Sequence, residues 1–85
     1  MEINVTPHFI KNYKKLHKEI QEKAKGKEAI FRKNPFDKRL KTHKLSGKER
    51  ESWAFWVDYS YRIKFIFLTK NEFLFLDIGT HDFYK

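Results

Sequence analysis

Cysteine is absent from the 85-residue chain, which excludes disulfide frameworks, cysteine-based zinc sites and thiol catalysis. The longest unbroken apolar runs, 53–57, 65–68 and 73–76, are far too short to cross a membrane. No apolar signal segment follows the first residues, so we expect no secretion signal and a cytoplasmic location. The three glycines are scattered, which excludes a glycine-rich phosphate loop, and we predict neither a metal site nor a cofactor.

Aromatic and basic residues are abundant. Hydrophobic residues make up 40% of the chain and include nine Phe, four Tyr and two Trp, enough for the core of one domain over residues 1–85. The 19 Lys and Arg residues outnumber the 11 Asp and Glu residues and leave a net charge of +8. A compact, strongly basic chain favours a polyanionic partner, such as RNA, DNA or an acidic protein. The alternative is a protein that uses lysine only to stay in solution.

The first third of the chain has helical periodicity. Thr6-Pro7 is a typical helix start, with Thr as N-cap and Pro in the first turn. Apolar side chains then recur at helical spacing, at Phe9, Tyr13, Leu16, Ile20 and Ala24. Lysines occupy the opposite face, at Lys11, Lys14, Lys15 and Lys18. We therefore predict two helices within 7–33, arranged as a hairpin, with the break near Leu16-His17 or at Gly26.

The rest of the chain has strand-like patterns. Segment 2–6 predicts a short strand, and alternating apolar residues predict three more at about 52–58, 61–68 and 73–79. The basic segment 34–50 predicts a loop anchored by Leu40 and Leu45. The order β-α-α-β-β-β predicts an α+β fold, in which a two-helix hairpin packs on one face of a four-stranded, mainly antiparallel sheet.

The face of the sheet away from the helices must then meet solvent or a partner. The side chains able to act there are His43, Arg62, Lys64, His81, Asp82 and Tyr84. An arginine flanked by aromatic residues in a strand can bind a phosphate with two donors, and histidine transfers protons near neutral pH. Three of these residues also have a purely structural interpretation. Arg62 could be an outward-pointing strand residue, His81 a cap of the last turn, and His43 an ordinary loop residue. Trp53 and Trp56 point to opposite faces, one into the core and the other to stack a base or close the edge.

Several segments together resemble a known family. They are Leu40-Lys-Thr-His-Lys-Leu-Ser-Gly47, Trp53, Tyr59-Ser-Tyr-Arg-Ile63 and Leu76-Asp-Ile-Gly-Thr-His-Asp82, followed by Tyr84. In this pattern the chain resembles the RelE/ParE superfamily of toxins from bacterial type II toxin–antitoxin systems, and most strongly its YafQ-like and RelE/StbE branch. The resemblance implies the RelE-like fold, a ribosome-dependent mRNA endoribonuclease that needs no metal, and a hetero-oligomer with a cognate antitoxin.

The resemblance also implies site residues. It assigns catalytic roles to His43, Arg62, His81 and Tyr84, with Arg62 holding the scissile phosphate and His81 transferring a proton. The basic residues around them are the expected RNA contacts, namely Lys41, Lys44, Lys48, Arg50 and Lys64. The chain departs from the YafQ pattern at two places. Val57 occupies the position where YafQ-like toxins have a further histidine, and Tyr61-Arg62 occupies the position of their Asp-Trp pair. A ParE-like toxin that inhibits DNA gyrase and an inactive relative are the alternative functions.

Overall fold

In the computed structural model, which describes residues 1–47 and 51–80, the predicted helical segment breaks at 15–17. Helix α1 covers Pro7–Lys14, and the Thr6 hydroxyl caps it by accepting a hydrogen bond from the Phe9 N–H. Helix α2 covers Lys18–Lys33 and ends at Asn34, just before Pro35. It runs unbroken through Gly26, so the break lies at the first of the two predicted positions.

The sheet has five strands in the order β1-β5-β4-β3-β2, and the prediction of four was wrong. The strands are β1 (Glu2–Val5), β2 (His43–Lys44), β3 (Trp53–Trp56), β4 (Tyr61–Thr69) and β5 (Glu72–Thr80). Only β1 pairs in parallel, along one edge of β5; the other pairings are antiparallel. The additional strand, β2, lies inside the segment predicted as a loop, after a short 3-10 helix at Lys38–Leu40. Two paired residues are too few to produce a hydrophobic alternation, so the sequence pattern did not reveal this strand.

One face of the sheet is covered by the helices and holds the core. Phe31 of α2 is fully buried among the rings of Phe55, Phe65, Phe73 and Phe75, at centroid distances of 5.0–5.4 Å. Leu40 is buried in the same cluster, which confirms one predicted anchor of the basic segment. The second anchor, Leu45, is also buried and donates its backbone N–H to the Ser52 carbonyl.

The other face of the sheet, called the open face below, carries Ala54, Trp56, Arg62 and Lys64. These residues alternate along β3 and β4 with the buried core residues, so their side chains leave the sheet on the side away from the core. Trp53 packs against the core and Trp56 does not, as the opposite-face prediction required. Within the described ranges, no helix is long and apolar enough to cross a membrane.

Candidate functional site

Strand pairing places the candidate residues in two rows across the open face. In the first row Trp56 of β3 pairs with Arg62 of β4, which pairs with Gly79 of β5. The second row runs from His43 through Ala54 and Lys64 to Asp77. Directly paired residues of antiparallel strands have their side chains on the same face, about 4.5–5.5 Å apart at Cβ. Three predicted site residues, His43, Arg62 and Lys64, therefore share one surface.

Arg62 is held in place by the turn between β3 and β4. Its Nη1 donates to the backbone carbonyls of Asp58 and Tyr59, both at 2.8 Å, and to that of Tyr61 at 3.1 Å. The guanidinium carbon lies 3.9 Å from the centre of the Trp56 ring. Although its side chain leaves the sheet on the side away from the core, only 6% of Arg62 is exposed. It is a fixed cation.

Only one nitrogen of the guanidinium, Nη1, takes part in the hydrogen bonds to the turn. Within residues 1–47 and 51–80, Nε and Nη2 of Arg62 make no hydrogen bond, whereas Nη1 makes three. No side-chain nitrogen or oxygen in this described part is both fully buried and unbonded. Nε and Nη2 form the second edge of the guanidinium. This edge is the planar fork with which arginine binds two oxygens of a phosphate. The arrangement can therefore hold an anion without first ordering the side chain.

The carbonyls that hold Arg62 are themselves fixed by Asp58. Its Oδ1 accepts from the backbone N–H groups of Ser60 at 2.9 Å and Tyr61 at 2.8 Å, and its Oδ2 accepts from Lys23 of α2 at 3.3 Å. Burial acts to raise the pKa of the Asp58 carboxyl, but the two N–H groups and the Lys23 ammonium together lower it below its ordinary value. Asp58 thus keeps the turn closed as a carboxylate at neutral pH. The sequence interpretation treated this turn only as a tight link.

His43 is oriented by a backbone hydrogen bond. Its Nδ1 lies 3.0 Å from the carbonyl oxygen of Lys41. A carbonyl only accepts, so Nδ1 carries the proton and Nε2 carries the lone pair of the neutral ring, the form that a general base needs. Lys41 itself adopts a left-handed backbone conformation, with φ of 51°, and places Nζ 5.1 Å from the centre of the Trp56 ring. Trp56 is therefore in contact with two cations, Arg62 and Lys41.

A group that the sequence did not indicate closes the second row. The Asp77 carboxylate accepts from Asn12 Nδ2 at 2.6 Å and pairs with His8 Nε2 at 3.2 Å, both on α1. His8 and Asp77 are 69 residues apart and belong to no common motif, so only the fold reveals their contact. This group fastens α1 to β5 beside Lys64.

The remaining predicted residues are only partly located. Lys44 pairs with Trp53, so its side chain leaves β2 on the side opposite to His43 and does not join the two rows. Lys48, Arg50, His81, Asp82 and Tyr84 lie outside the described residues. Among the residues that the structure describes, no cluster of His, Cys, Asp or Glu has the geometry to hold a metal ion.

Known proteins match the chain by structure and not by sequence. No family model matches it, and neither does any curated protein sequence. YafQ from E. coli strain BL21(DE3) superposes with a TM-score of 0.78 at 21% identity, covering 95% of this chain and 93% of YafQ. A YoeB/ParE toxin from Agrobacterium tumefaciens superposes with a TM-score of 0.79 at 15% identity, over 95% of this chain and 99% of the toxin. The chain has the fold of the YafQ and YoeB toxins.

A third match shows such a toxin with its partner. It is the heterotetrameric YoeB–YefM toxin–antitoxin complex from Staphylococcus aureus, with a TM-score of 0.76, 15% identity and coverage of 95% of this chain and 97% of the matched chain. The predicted resemblance to the RelE/ParE superfamily and the predicted α+β class are confirmed at the level of the fold. The roles of individual site residues remain predictions.

Proposed function

We propose that the chain is the toxin of a type II toxin–antitoxin system and cleaves mRNA on the ribosome, in the cytoplasm. The observation that carries this proposal is the anchored Arg62, whose Nη1 is fixed by the turn while the Nε–Nη2 fork stays unpaired within the described residues. A cation held in this way stabilises charge that develops on a phosphate and costs no reorganisation during the reaction. It lies on the open face of a toxin fold, beside Lys64 on β4 and on the same face as His43 of β2.

The proposed chemistry is attack by the 2′-oxygen on the adjacent phosphorus. A base removes the 2′-proton, the bond from phosphorus to the 5′-oxygen breaks, and an acid protonates that leaving oxygen. Arg62 stabilises the phosphorane, while His81, with help from His43, exchanges the protons. Tyr84 completes the catalytic group, and lysines and Arg50 bind the RNA backbone. The products are a 2′,3′-cyclic phosphate and a 5′-hydroxyl, and the reaction requires no metal.

The proposed partner is an acidic or extended antitoxin segment. The net charge of +8 and the lysines of residues 11–18 favour an acidic chain that adds apolar anchors between its charge pairs. Affinity for the antitoxin should therefore fall as the salt concentration rises, and affinity for the ribosome should fall more steeply. Salt-independent binding would contradict the electrostatic part of this proposal.

Expression of variants in bacterial cells tests the proposal, with primer extension on cellular mRNA and circular dichroism as the check of folding. Arg62→Ala and His81→Ala should each abolish translation-dependent cleavage, with losses of about 100–1000-fold for the first and about 100–10,000-fold for the second. His43→Ala should lose less. Arg32→Ala is the matched control, because Arg32 is an exposed α2 residue paired with Glu28.

The same experiment separates the alternatives. Full toxicity from a folded double variant of Arg62→Ala and His81→Ala would rule out the nuclease. Arrest of DNA replication with intact mRNA would instead favour the gyrase inhibitor. A wild-type chain that inhibits neither process would be the inactive relative.

A further inference from the structure

The turn between β3 and β4 presents an exposed aromatic ring beside the fixed guanidinium. Tyr59 is 79% exposed, the largest exposed fraction among the large hydrophobic side chains that the structure describes. Its backbone carbonyl accepts the Arg62 Nη1 hydrogen bond at 2.8 Å. Its ring meets the Trp56 ring edge-on, with centroids 6.0 Å apart and planes at 83°. A single exposed aromatic residue is ordinary, but this one is attached to the group that orients the proposed phosphate clamp.

The backbone that carries Tyr59 is fixed from both sides. Asp58 accepts the N–H groups of Ser60 and Tyr61, and Arg62 donates to the carbonyls of Asp58 and Tyr59. The ring of Tyr59 therefore projects from an ordered turn. Because this turn is already fixed, the stacking of a ligand would cost its backbone little additional entropy. Most of this residue meets solvent, since 79% of it is exposed.

The charges next to Tyr59 favour one class of ligand. Arg62 and Lys41 both contact Trp56, at 3.9 and 5.1 Å from its ring centre, and Trp56 in turn contacts the exposed ring of Tyr59 at 6.0 Å between centroids. An aromatic face next to fixed cations is the combination that binds single-stranded nucleic acid, in which bases stack while phosphates are neutralised. We propose that Tyr59 stacks a nucleobase of the single-stranded RNA substrate, next to the phosphate held by Arg62. This inference rests on the proposed nuclease function and adds a base-binding subsite to it.

Binding to a single-stranded oligoribonucleotide tests the subsite directly. The probe carries 2′-O-methyl groups, so it cannot be cleaved, and its affinity for the full chain is measured by fluorescence titration. Tyr59→Ala should weaken binding roughly 5- to 100-fold, the range for loss of one aromatic stacking contact, whereas Tyr59→Phe should bind like wild type. Ser60→Ala is the matched control, since it alters an exposed side chain of the same turn without removing a ring.

Probes that lack a single base distinguish the loss of a stacking contact from a general disturbance of the turn. A series of probes, each lacking one base, should show a single position at which wild-type affinity falls by the factor seen for Tyr59→Ala. At that position Tyr59→Ala should show no further loss. Additive losses at every position, or wild-type binding by Tyr59→Ala, would overturn the inference.

The failure of the subsite and the failure of the nuclease are separable. If Tyr59→Ala binds like wild type while Arg62→Ala loses affinity and cleavage, only the stacking inference is wrong. If Arg62→Ala also binds the probe and cleaves mRNA like wild type, the proposed nuclease site is wrong as well. A wild-type chain that does not bind the intact probe overturns the stacking inference.

Discussion

The two faces of the sheet bury their central side chains by different means. On the helix-covered face, Phe31 is enclosed by aromatic rings and makes apolar ring contacts that involve no hydrogen bond and no charge. On the open face, Arg62 is 94% buried, but its contacts are three directed hydrogen bonds and one stacked ring. Apolar packing tolerates many alternative residues of suitable size, whereas a buried guanidinium requires particular partners. The first face thus packs by apolar contact, and the second fixes a charged group in one orientation.

The largest loss of stability should come from the helix-covered face. Phe31→Ala removes a fully buried ring that contacts four others, and should lower the free energy of unfolding by about 3–5 kcal/mol. Phe36→Ala is the control, because Phe36 is 52% exposed and should cost far less. Chemical denaturation at neutral pH measures both. Equal losses would contradict the placement of the core.

A smaller loss should come from the open face. Arg62→Ala removes the side-chain donor to the carbonyls of Asp58 and Tyr59 and uncovers Trp56, which should cost about 1–3 kcal/mol. Arg32→Ala should change stability by no more than about 0.5 kcal/mol. A loss no larger than that control would show that the anchoring bonds contribute nothing measurable.

The turn that holds Arg62 should respond to acid through Asp58. The pKa of Asp58 is lowered in the folded chain, so its stabilisation is present above the ordinary pKa of about 3.8 and is lost as the pH falls through the lower folded value. Asp58→Ala should cost about 0.5–1.5 kcal/mol at neutral pH. Asp58→Asn should retain most of the stabilisation that Asp58 contributes, since an amide oxygen still accepts the two backbone N–H groups.

Asp37 provides the matched control for this turn. It also accepts a backbone N–H, from Arg39, and the side-chain hydrogen bond from Arg39 lowers its pKa to about 2. Asp37→Ala should therefore reduce stability at neutral pH and lose that effect in acid, as Asp58→Ala does, but without any effect on Arg62 or on RNA cleavage. Equal effects of the two variants on cleavage would contradict the positioning role of Asp58.

The smallest effect should come from the ion pair that joins α2 to the turn. Lys23 Nζ lies 3.3 Å from Asp58 Oδ2, and the Lys23 side chain is 53% exposed. Lys23→Ala should lower stability by about 0.2–1 kcal/mol, and high salt should reduce the difference. Thermal melts at low and high salt measure it. A loss as large as that of Asp58→Ala would mean that α2, and not the turn itself, positions Arg62.

The sequence predicted the helix-covered face far better than the open one. Alternation of Tyr61, Ile63 and Phe65 with Arg62 and Lys64 was sufficient to predict β4 and its core side. The strand β2 escaped prediction because His43 and Lys44 form it only through backbone pairing with β3. The anchoring of Arg62 also escaped, since backbone carbonyls leave no mark in a sequence. The contact of His8 with Asp77 joins residues 69 positions apart, and periodicity carries no information at that range.

The most direct test of the account is the cleavage rate of Arg62→Lys in a purified translation system with one mRNA. Lysine keeps the positive charge but cannot stack flat on Trp56 or offer the planar fork. We expect Arg62→Lys to cleave mRNA at a rate at least about 100-fold below that of the wild type at saturating ribosomes, with an unchanged circular dichroism spectrum. A folded Arg62→Lys variant that cleaves at the wild-type rate would contradict the claim that the fixed guanidinium holds the scissile phosphate.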